Sequence, residues 1–499
     1  MEFLPSANQI KKADAYTIEE LGIPSLELME RAAMAVVRLI RRQELVMDNI
    51  AIVCGSGNNG GDGFAIGRLL LEDGRDVDLI FAGNPDHCTE ETKEQIRRFE
   101  KAGGIIKDTF ISGDYSAVVD AVFGVGLNRE IQGNYKSLIE DMNKSNGLKV
   151  AVDIPSGVCA TTGKILGVAF KADVTVTFER RKSGLLFYPG NFYCGEIFSA
   201  DIGVDCSLLE KSKEVLVAYD QADLDELLPK RSPDSHKGSY GRVLMISGSK
   251  GMAGAAYLGA YASYMTGAGL VRIYTPEENR TVLQQLLPEA IISPYEEYDE
   301  EELEELLAWA DVVCVGSGIG KGEISVKIMR KVLNTVKRLC VIDADGINII
   351  AQDPQLKKMM EEGEYILTPH IKEMSGLIGS SVREIKNDPR MVLEQFTKNN
   401  HLTCVLKDAR SLTAKSGLPT VLNLSGNESM AKAGSGDVLA GIITGLLAQG
   451  SSSYVAASLG AYIHGCAGDE ARKKKGNYSV MARDLISNLG TVLDKEEYL

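Results

Sequence analysis

Short apolar runs alternate with helical patterns along almost the whole chain, and that alternation limits what it can fold into. In the first half the strand-like runs are Ile50–Cys54, Val77–Ala82, Ala117–Phe123, Lys149–Asp153 and Val174–Phe178. Helical spacing marks 8–20, 25–42, Thr92–Ala102 and Lys136–Ser145. In the second of these, Leu26, Met29, Ala33, Val36, Val37 and Ile40 recur on one face. The rhythm resumes at Arg242–Gly248 and continues through Leu270–Tyr274, Val312–Val315, Cys340–Asp343, Tyr365–Thr368 and Thr403–Lys407. Strands separated by helices predict parallel sheets covered on both faces, an α/β fold. A chain of 499 residues suits two large α/β domains. Charged stretches flank Pro229–Gly238, and the expected boundary lies near residue 215, giving domains 1–214 and 215–499. The acidic run Glu296–Glu305 reads as a helix start with a solvated face.

Charge and cysteine usage narrow the functional classes. Lys+Arg number 54 against 69 Asp+Glu, a net charge of −15, which argues against nonspecific nucleic-acid or anionic-membrane binding. An anionic ligand held by local N–H groups stays open. The nine cysteines form no C-x-x-C pair and no Cys/His cluster with zinc spacing. Cys54, Cys314 and Cys404 fall in apolar runs as buried thiols, and the odd count fits a reducing cytosol. The first residues show no signal-peptide pattern, and no apolar run reaches the roughly 18 residues of a membrane span. The expectation is a cytoplasmic protein.

Gly434-Ser435-Gly436 opens directly into a helical apolar run, with Asp437 in its first turn. Free N–H groups and the positive end of the helix dipole suit an anion there. A lone carboxylate at a phosphate site holds a metal or takes a proton. The plainer alternative is an Asp that only stabilises the helix start. A second glycine cluster, Gly55–Gly63, follows the strand Ile50–Cys54 and precedes a helical pattern at Phe64–Leu70. Gly55, Gly57 and Gly60 match a dinucleotide fingerprint formally, but the next strand ends Phe81-Ala82-Gly83-Asn84 with no acidic residue for a ribose. Ordinary hydride transfer is therefore not expected. Asp120 lies inside an apolar run, and Asp153 stands at a strand end, where open α/β sheets gather ligands. Asp153 is either an acid/base or a cap of the Pro155-Ser156-Gly157 turn. Asn59, Asp120 and Ser156 offer the oxygens that a hard monovalent cation takes.

Asn58–Gly63, Asp120 with Phe123–Gly126, and Asp153–Gly157 together resemble the NAD(P)HX epimerase family over roughly residues 1–210. The resemblance implies a Rossmann-like, three-layer domain that interconverts the R and S forms of hydrated NADH and NADPH at C6. It assigns ligand contacts to Asn58, Asn59, Gly60, Gly61 and Asp62, and to Gly124, Val125, Gly126, Leu127, Asn128, Arg129 and Glu130. Tyr135 would line the pocket. Asp153 would be the acid/base, and Asn59, Asp120 and Ser156 would bind potassium.

The second half carries Ser235–Gly241, Ala253–Ala256, Asp343-Ala344-Asp345, Thr368-Pro369-His370 with Glu373, and Gly434–Asp437. In that order they resemble the ADP- or ATP-dependent NAD(P)H-hydrate dehydratases, a ribokinase-like family. By this likeness Asp437 takes the proton of the C6 hydroxyl, which attacks the terminal phosphate; loss of phosphate then restores the reduced nicotinamide. Ala253, Gly318, His370 and Asp437 match the substrate side. Lys407, Asp408, Ala409, Arg410 and Ser411 match one nucleotide segment. Asn427, Glu428, Ser429, Met430, Ala431, Lys432, Ala433, Gly434, Ser435 and Gly436 match the other. Magnesium would accompany ADP or ATP. NADHX and NADPHX would be the substrates, with assembly as a homo-oligomer, a tetramer or octamer. Asp408, Ser411 and Ala433 depart from the residues common in that family. A small-molecule kinase with an N-terminal regulatory domain is the alternative, and a noncatalytic nucleotide sensor the third.

Overall fold

A computed structural model describes residues 1–42 and 49–494. The chain divides into two compact units, Phe3–Leu216 and Val217–Leu499, the second also counting Met1–Glu2. The first unit is built on seven strands: β1 (Asn49–Cys54), β2 (Asp76–Phe81), β3 (Ile106–Lys107), β4 (Ala117–Ala121), β5 (Leu148–Val152), β6 (Val174–Phe178) and β7 (Glu196–Ala200). They lie in the order β3-β2-β1-β4-β5-β6-β7, all parallel. Successive side chains of a strand point to opposite faces. Thus Ile50, Ile52 and Cys54 join a core with Val36, Phe64 and Phe99, while Ala51 and Val53 join another with Ile139, Met142 and Phe170. Helices on both faces give the three-layer arrangement. The order reverses between β1 and β4, and ligands of such sheets lie at the carboxyl ends beside that reversal.

The second unit contains β8 (Arg242–Ile246), β9 (Leu270–Pro276), β10 (Ile291–Tyr295), β11 (Val312–Val315), β12 (Arg338–Ile342), β13 (Glu364–Leu367), β14 (Thr403–Leu406), β15 (Leu412–Lys415) and β16 (Thr420–Leu422). These run β16-β15-β14-β13-β12-β11-β8-β9-β10. Strands β8 to β14 are parallel, and β15 and β16 return antiparallel. The reversal here lies between β8 and β11. The helix Ser435–Ala448 is buried along Val438–Leu447. It packs closely on the helix Ala253–Met265: a Cβ on Gly441 would stand 2.3 Å from the Gly259 carbonyl oxygen, and Ser263 Oγ donates to the Gly441 carbonyl at 3.0 Å. That small-residue crossing fixes where the first turn of Ser435–Ala448 points. Among the described residues, no helix is long and apolar enough to cross a membrane.

The acidic run behaves as its composition predicts. Asp299 accepts from the backbone N–H groups of Glu301 and Glu302 and starts the helix Glu300–Trp309.

Candidate active sites

In the first unit the crevice is set by close backbone approach. A Cβ on Gly55 would lie 2.1 Å from the Val122 carbonyl oxygen, and one on Gly60 1.8 Å from that of Gly55. The helix begins at Asn58 rather than at Phe64, so Asn58–Asp62 form its first turn instead of a loop. That turn needs only glycine-sized neighbours to fit, which hydrophobic spacing does not register. The N–H groups that open it, ahead of Gly61 N, which donates to the Gly57 carbonyl at 3.2 Å, suit an anion.

Asp120 at the end of β4 is 0% exposed. Its Oδ1 accepts from Ser156 Oγ at 2.6 Å and Val122 N at 3.2 Å, and its Oδ2 from Ser156 N at 2.7 Å. Burial pushes its carboxyl up to about 6, against those bonds. Ser156 Oγ also accepts from Phe123 N at 2.9 Å, and Gly124, the next residue, lies against the Asn59 side chain. Asn59 Nδ2 is buried without a partner. A carboxylate, a hydroxyl and an amide therefore adjoin in one chain of contacts. These oxygens are of the hard kind that a monovalent cation takes, whereas the orphaned Nδ2 is an N–H donor and calls for an acceptor instead. Among the described residues, no group of three or more His, Cys, Asp or Glu forms a metal cage.

Asp153 follows β5 with φ 64, left-handed backbone that is uncommon for a non-glycine residue. It is tied by its N–H to the Val176 carbonyl at 2.8 Å. Its Oδ1 accepts from Thr177 Oγ1, Phe178 N and the buried Lys182 ammonium. Two further carboxyls share this field. Burial raises Asp14 to about 6, with Lys182 opposing and Asp153 and Glu179 reinforcing. Burial, then Asp153 and Asp14, push Asp62 well up, with Lys182 opposing. Two carboxyls favoured in the protonated form thus adjoin the Asp153–Lys182 pair, the makings of acid/base chemistry. The loop at Asn128–Glu130 is exposed, and Tyr135 packs on Phe123 with ring centroids 5.0 Å apart.

In the second unit the strand ends converge on Asp343, which is 2% exposed. Its Oδ1 accepts from Lys407 Nζ at 2.8 Å and Thr368 Oγ1 at 2.6 Å, and its Oδ2 from Ser317 Oγ at 3.1 Å. Burial opposes the Lys407 charge, but Asp343, Glu373 and Asp437 outweigh it and hold its pKa above the ordinary lysine value. Lys407 Nζ also reaches the turn at Gly436. Gly434 has φ 91, and a Cβ there would meet Leu258 Cδ1 at 2.6 Å. Asp437 sits in the first turn that follows. Burial and then Asp343 raise its carboxyl to about 6, while Ser317 and Lys407 pull the other way. Ser435 Oγ lies 3.2 Å from His464 Nε2, and burial together with the Lys407 charge lowers that imidazole to about 4, so it is neutral.

Other expected residues adjoin this centre. A Cβ on Gly318 would touch Ala255 at 2.9 Å, so Gly318 sits at the start of Ala253–Met265, beside Ala253. His370 is linked to Lys407 by a parallel bridge and caps Ile371–Ile378: its Nδ1 accepts from Glu373 N at 3.0 Å, leaving the ring exposed. Asp408 and Ala409 are exposed, Ser411 Oγ donates to the Asp408 carbonyl, and Arg410 donates to that of Leu424. Asn427 Nδ2 donates to Asp469 at 2.7 Å, which anchors the segment Asn427–Gly436. The sequence gives no hint of Lys182, Asp14 or His464 as site residues. Lys182 stands in a basic run with Arg180 and Arg181, where a solvated face is the natural reading.

Comparison with known proteins follows the two units. A family model described as NAD(P)H-hydrate dehydratase matches residues 243–490, and one described as YjeF-related protein N-terminus matches 25–184. The chain is 35% identical to the bifunctional NAD(P)H-hydrate repair enzyme of Moorella thermoacetica, over 98% of this chain and 96% of the relative. It is 34% identical to the enzyme of that name from Escherichia coli, over 98% and 94%. Among solved structures, a ribokinase-like superfamily protein of Enterococcus faecalis is 28% identical, with 56% of this chain and 95% of that one aligned at a TM-score of 0.50.

Proposed function

The chain belongs to the bifunctional NAD(P)H-hydrate repair enzyme family, and from that premise we propose which of its residues carry each reaction. It is an isomerase and a lyase in one chain: an epimerase in the first half and a ribokinase-like dehydratase in the second. In the epimerase, Asn58–Asp62 and Gly124–Glu130 hold the ligand, its pyrophosphate on the N–H groups that open the helix Asn58–Glu72. Asp153 exchanges the proton at the C6 carbinol. Asn59, Asp120 and Ser156 would hold potassium, whose charge there offsets that of the buried Asp120.

In the dehydratase, Asp437 accepts the proton of the C6 hydroxyl as that oxygen attacks the terminal phosphate of ADP or ATP and AMP or ADP leaves; the C6–O bond then breaks with loss of phosphate, and a ring proton is lost to restore the reduced nicotinamide. The N–H groups at Gly434–Asp437 and the Lys407 ammonium meet the developing negative charge. Magnesium would arrive with the nucleotide, which supplies most of its oxygen ligands. Asp343 keeps Lys407 extended toward the turn. Ala253, Gly318 and His370 flank the substrate, while Lys407–Ser411 and Asn427–Gly436 flank the nucleotide. The observation that carries this assignment is that Asp153 and Asp437 each stand at the carboxyl edge of their own sheet, among groups that handle protons or anions. The protein works in the cytoplasm as a homo-oligomer, a tetramer or octamer; that part rests on family resemblance.

The test is recovery of reduced-nicotinamide absorbance from mixed-epimer NADHX, with Mg²⁺ and K⁺, and ADP or ATP supplied separately. Wild type should convert all of it. Asp153→Ala should stall partway, and Asp437→Ala should recover nothing. Accumulation of a stable phosphorylated product instead would move the chain to the kinases.

A further inference from the structure

Lys182 has no part in the reading above, yet its side chain is only 2% exposed. A charge at that depth persists only where its partners are well placed. Lys182 Nζ donates to Asp153 Oδ1, to Thr177 Oγ1 at 3.1 Å and to the Phe178 carbonyl at 2.9 Å. The same Oδ1 accepts from Thr177 Oγ1 at 3.2 Å and Phe178 N at 3.1 Å. Three donors thus converge on one oxygen. Among the described residues, Oδ2 takes no hydrogen bond, and the Asp153 side chain keeps 12% of its surface exposed. The strained backbone at φ 64 turns the residue toward these donors.

We infer that Lys182 is a positioning residue for the epimerisation: it pins Asp153 Oδ1 so that Oδ2 alone exchanges a proton with the ligand. The inference rests on the reading of Asp153 as the acid/base. Asp14, Asp62 and Glu179 also bear on this cluster, so without the ammonium only the neutral donors Thr177 and Phe178 N would offset the carboxyls around Asp153. In the forward transfer Oδ2 takes the hydroxyl proton as the C6–O electrons form a carbonyl and the C6–N1 bond breaks, its pair passing to the ring nitrogen. After the aldehyde turns, N1 adds back to the other face and the proton returns from Oδ2 to the oxygen, so C6 is inverted and no proton is gained or lost over a cycle. A carboxylate free to turn about its last torsion would present either oxygen, and misplacement of that size costs on the order of 100-fold in rate.

The test follows interconversion of the two NADHX epimers by chromatography, on the full chain, at saturating and limiting ligand. Lys182→Met should lower kcat about 100-fold and leave KM nearly unchanged. Thr177→Val, which removes one neutral donor, should lower kcat about 10-fold. Thermal unfolding reports whether each variant is folded. A folded Lys182→Met with wild-type kcat overturns the inference. If that variant does not fold, an unimpaired Thr177→Val overturns it. Asp153→Asn separates the two levels: active, it overturns the base assignment and the inference with it. Inactive beside an unimpaired, folded Lys182→Met, it overturns the inference alone.

Discussion

Burial and the neighbouring Asp343 raise the carboxyl of Asp437, the proposed base, to about 6. Acting as a base requires the charged form. Dehydration should therefore fall as pH drops through about 6, which a pH profile of kcat in excess nucleotide will check. The neutral His464, lowered to about 4, titrates too low to account for that limb. Stability runs the other way. A folded value above the ordinary 3.8 means Asp437 contributes stability below about 3.8 and loses it as pH rises through about 6. Asp437→Asn should lower dehydration between about 100- and 10,000-fold with epimerisation intact, measured by absorbance and by chromatography. Asp437 is legible in the sequence because glycines and an apolar run frame it. Lys182 is not, because its burial comes with contacts to Asp153, Thr177 and Phe178 at the ends of β5 and β6, and its immediate neighbours Arg180 and Arg181 give no sign of it.

At the scale of elements, both crevices depend on glycines that let backbones meet. Gly434→Ala places a methyl against Leu258 and Ala482 and imposes φ 91 on a residue that disfavours it. It should abolish dehydration while epimerisation continues, as the two activities measured on one preparation will show. Gly55→Ala would drive a Cβ into the Val122 carbonyl and part the ends of β1 and β4. The cation reading is tested on the same crevice: potassium should raise the midpoint of the first unit's thermal unfolding more than lithium does, and Asp120→Asn should remove the difference. Parallel strands such as β1, β4 and β11 read clearly in the sequence because both their faces are buried. Strands β7, β15 and β16 do not. β7 has no fully buried residue, and β15 and β16 are short runs each containing a threonine, unlike the unbroken Val312–Val315 of β11.

At the scale of the whole molecule, each assigned site draws its residues from a single unit, and each unit has its own cores. Halves divided just before the strand Leu216–Ala218 should accordingly retain one activity each when produced separately, with the dehydratase half depending on ADP or ATP and the epimerase half on neither. Mixing the two halves should recover all the reduced nicotinamide from a racemic hydrate, as the absorbance assay reads it. Self-contained sites have a genetic consequence. Two defective alleles, one damaged at Asp153 and the other at Asp437, should complement each other in trans, so that a cell carrying both keeps its nicotinamide pool in working order.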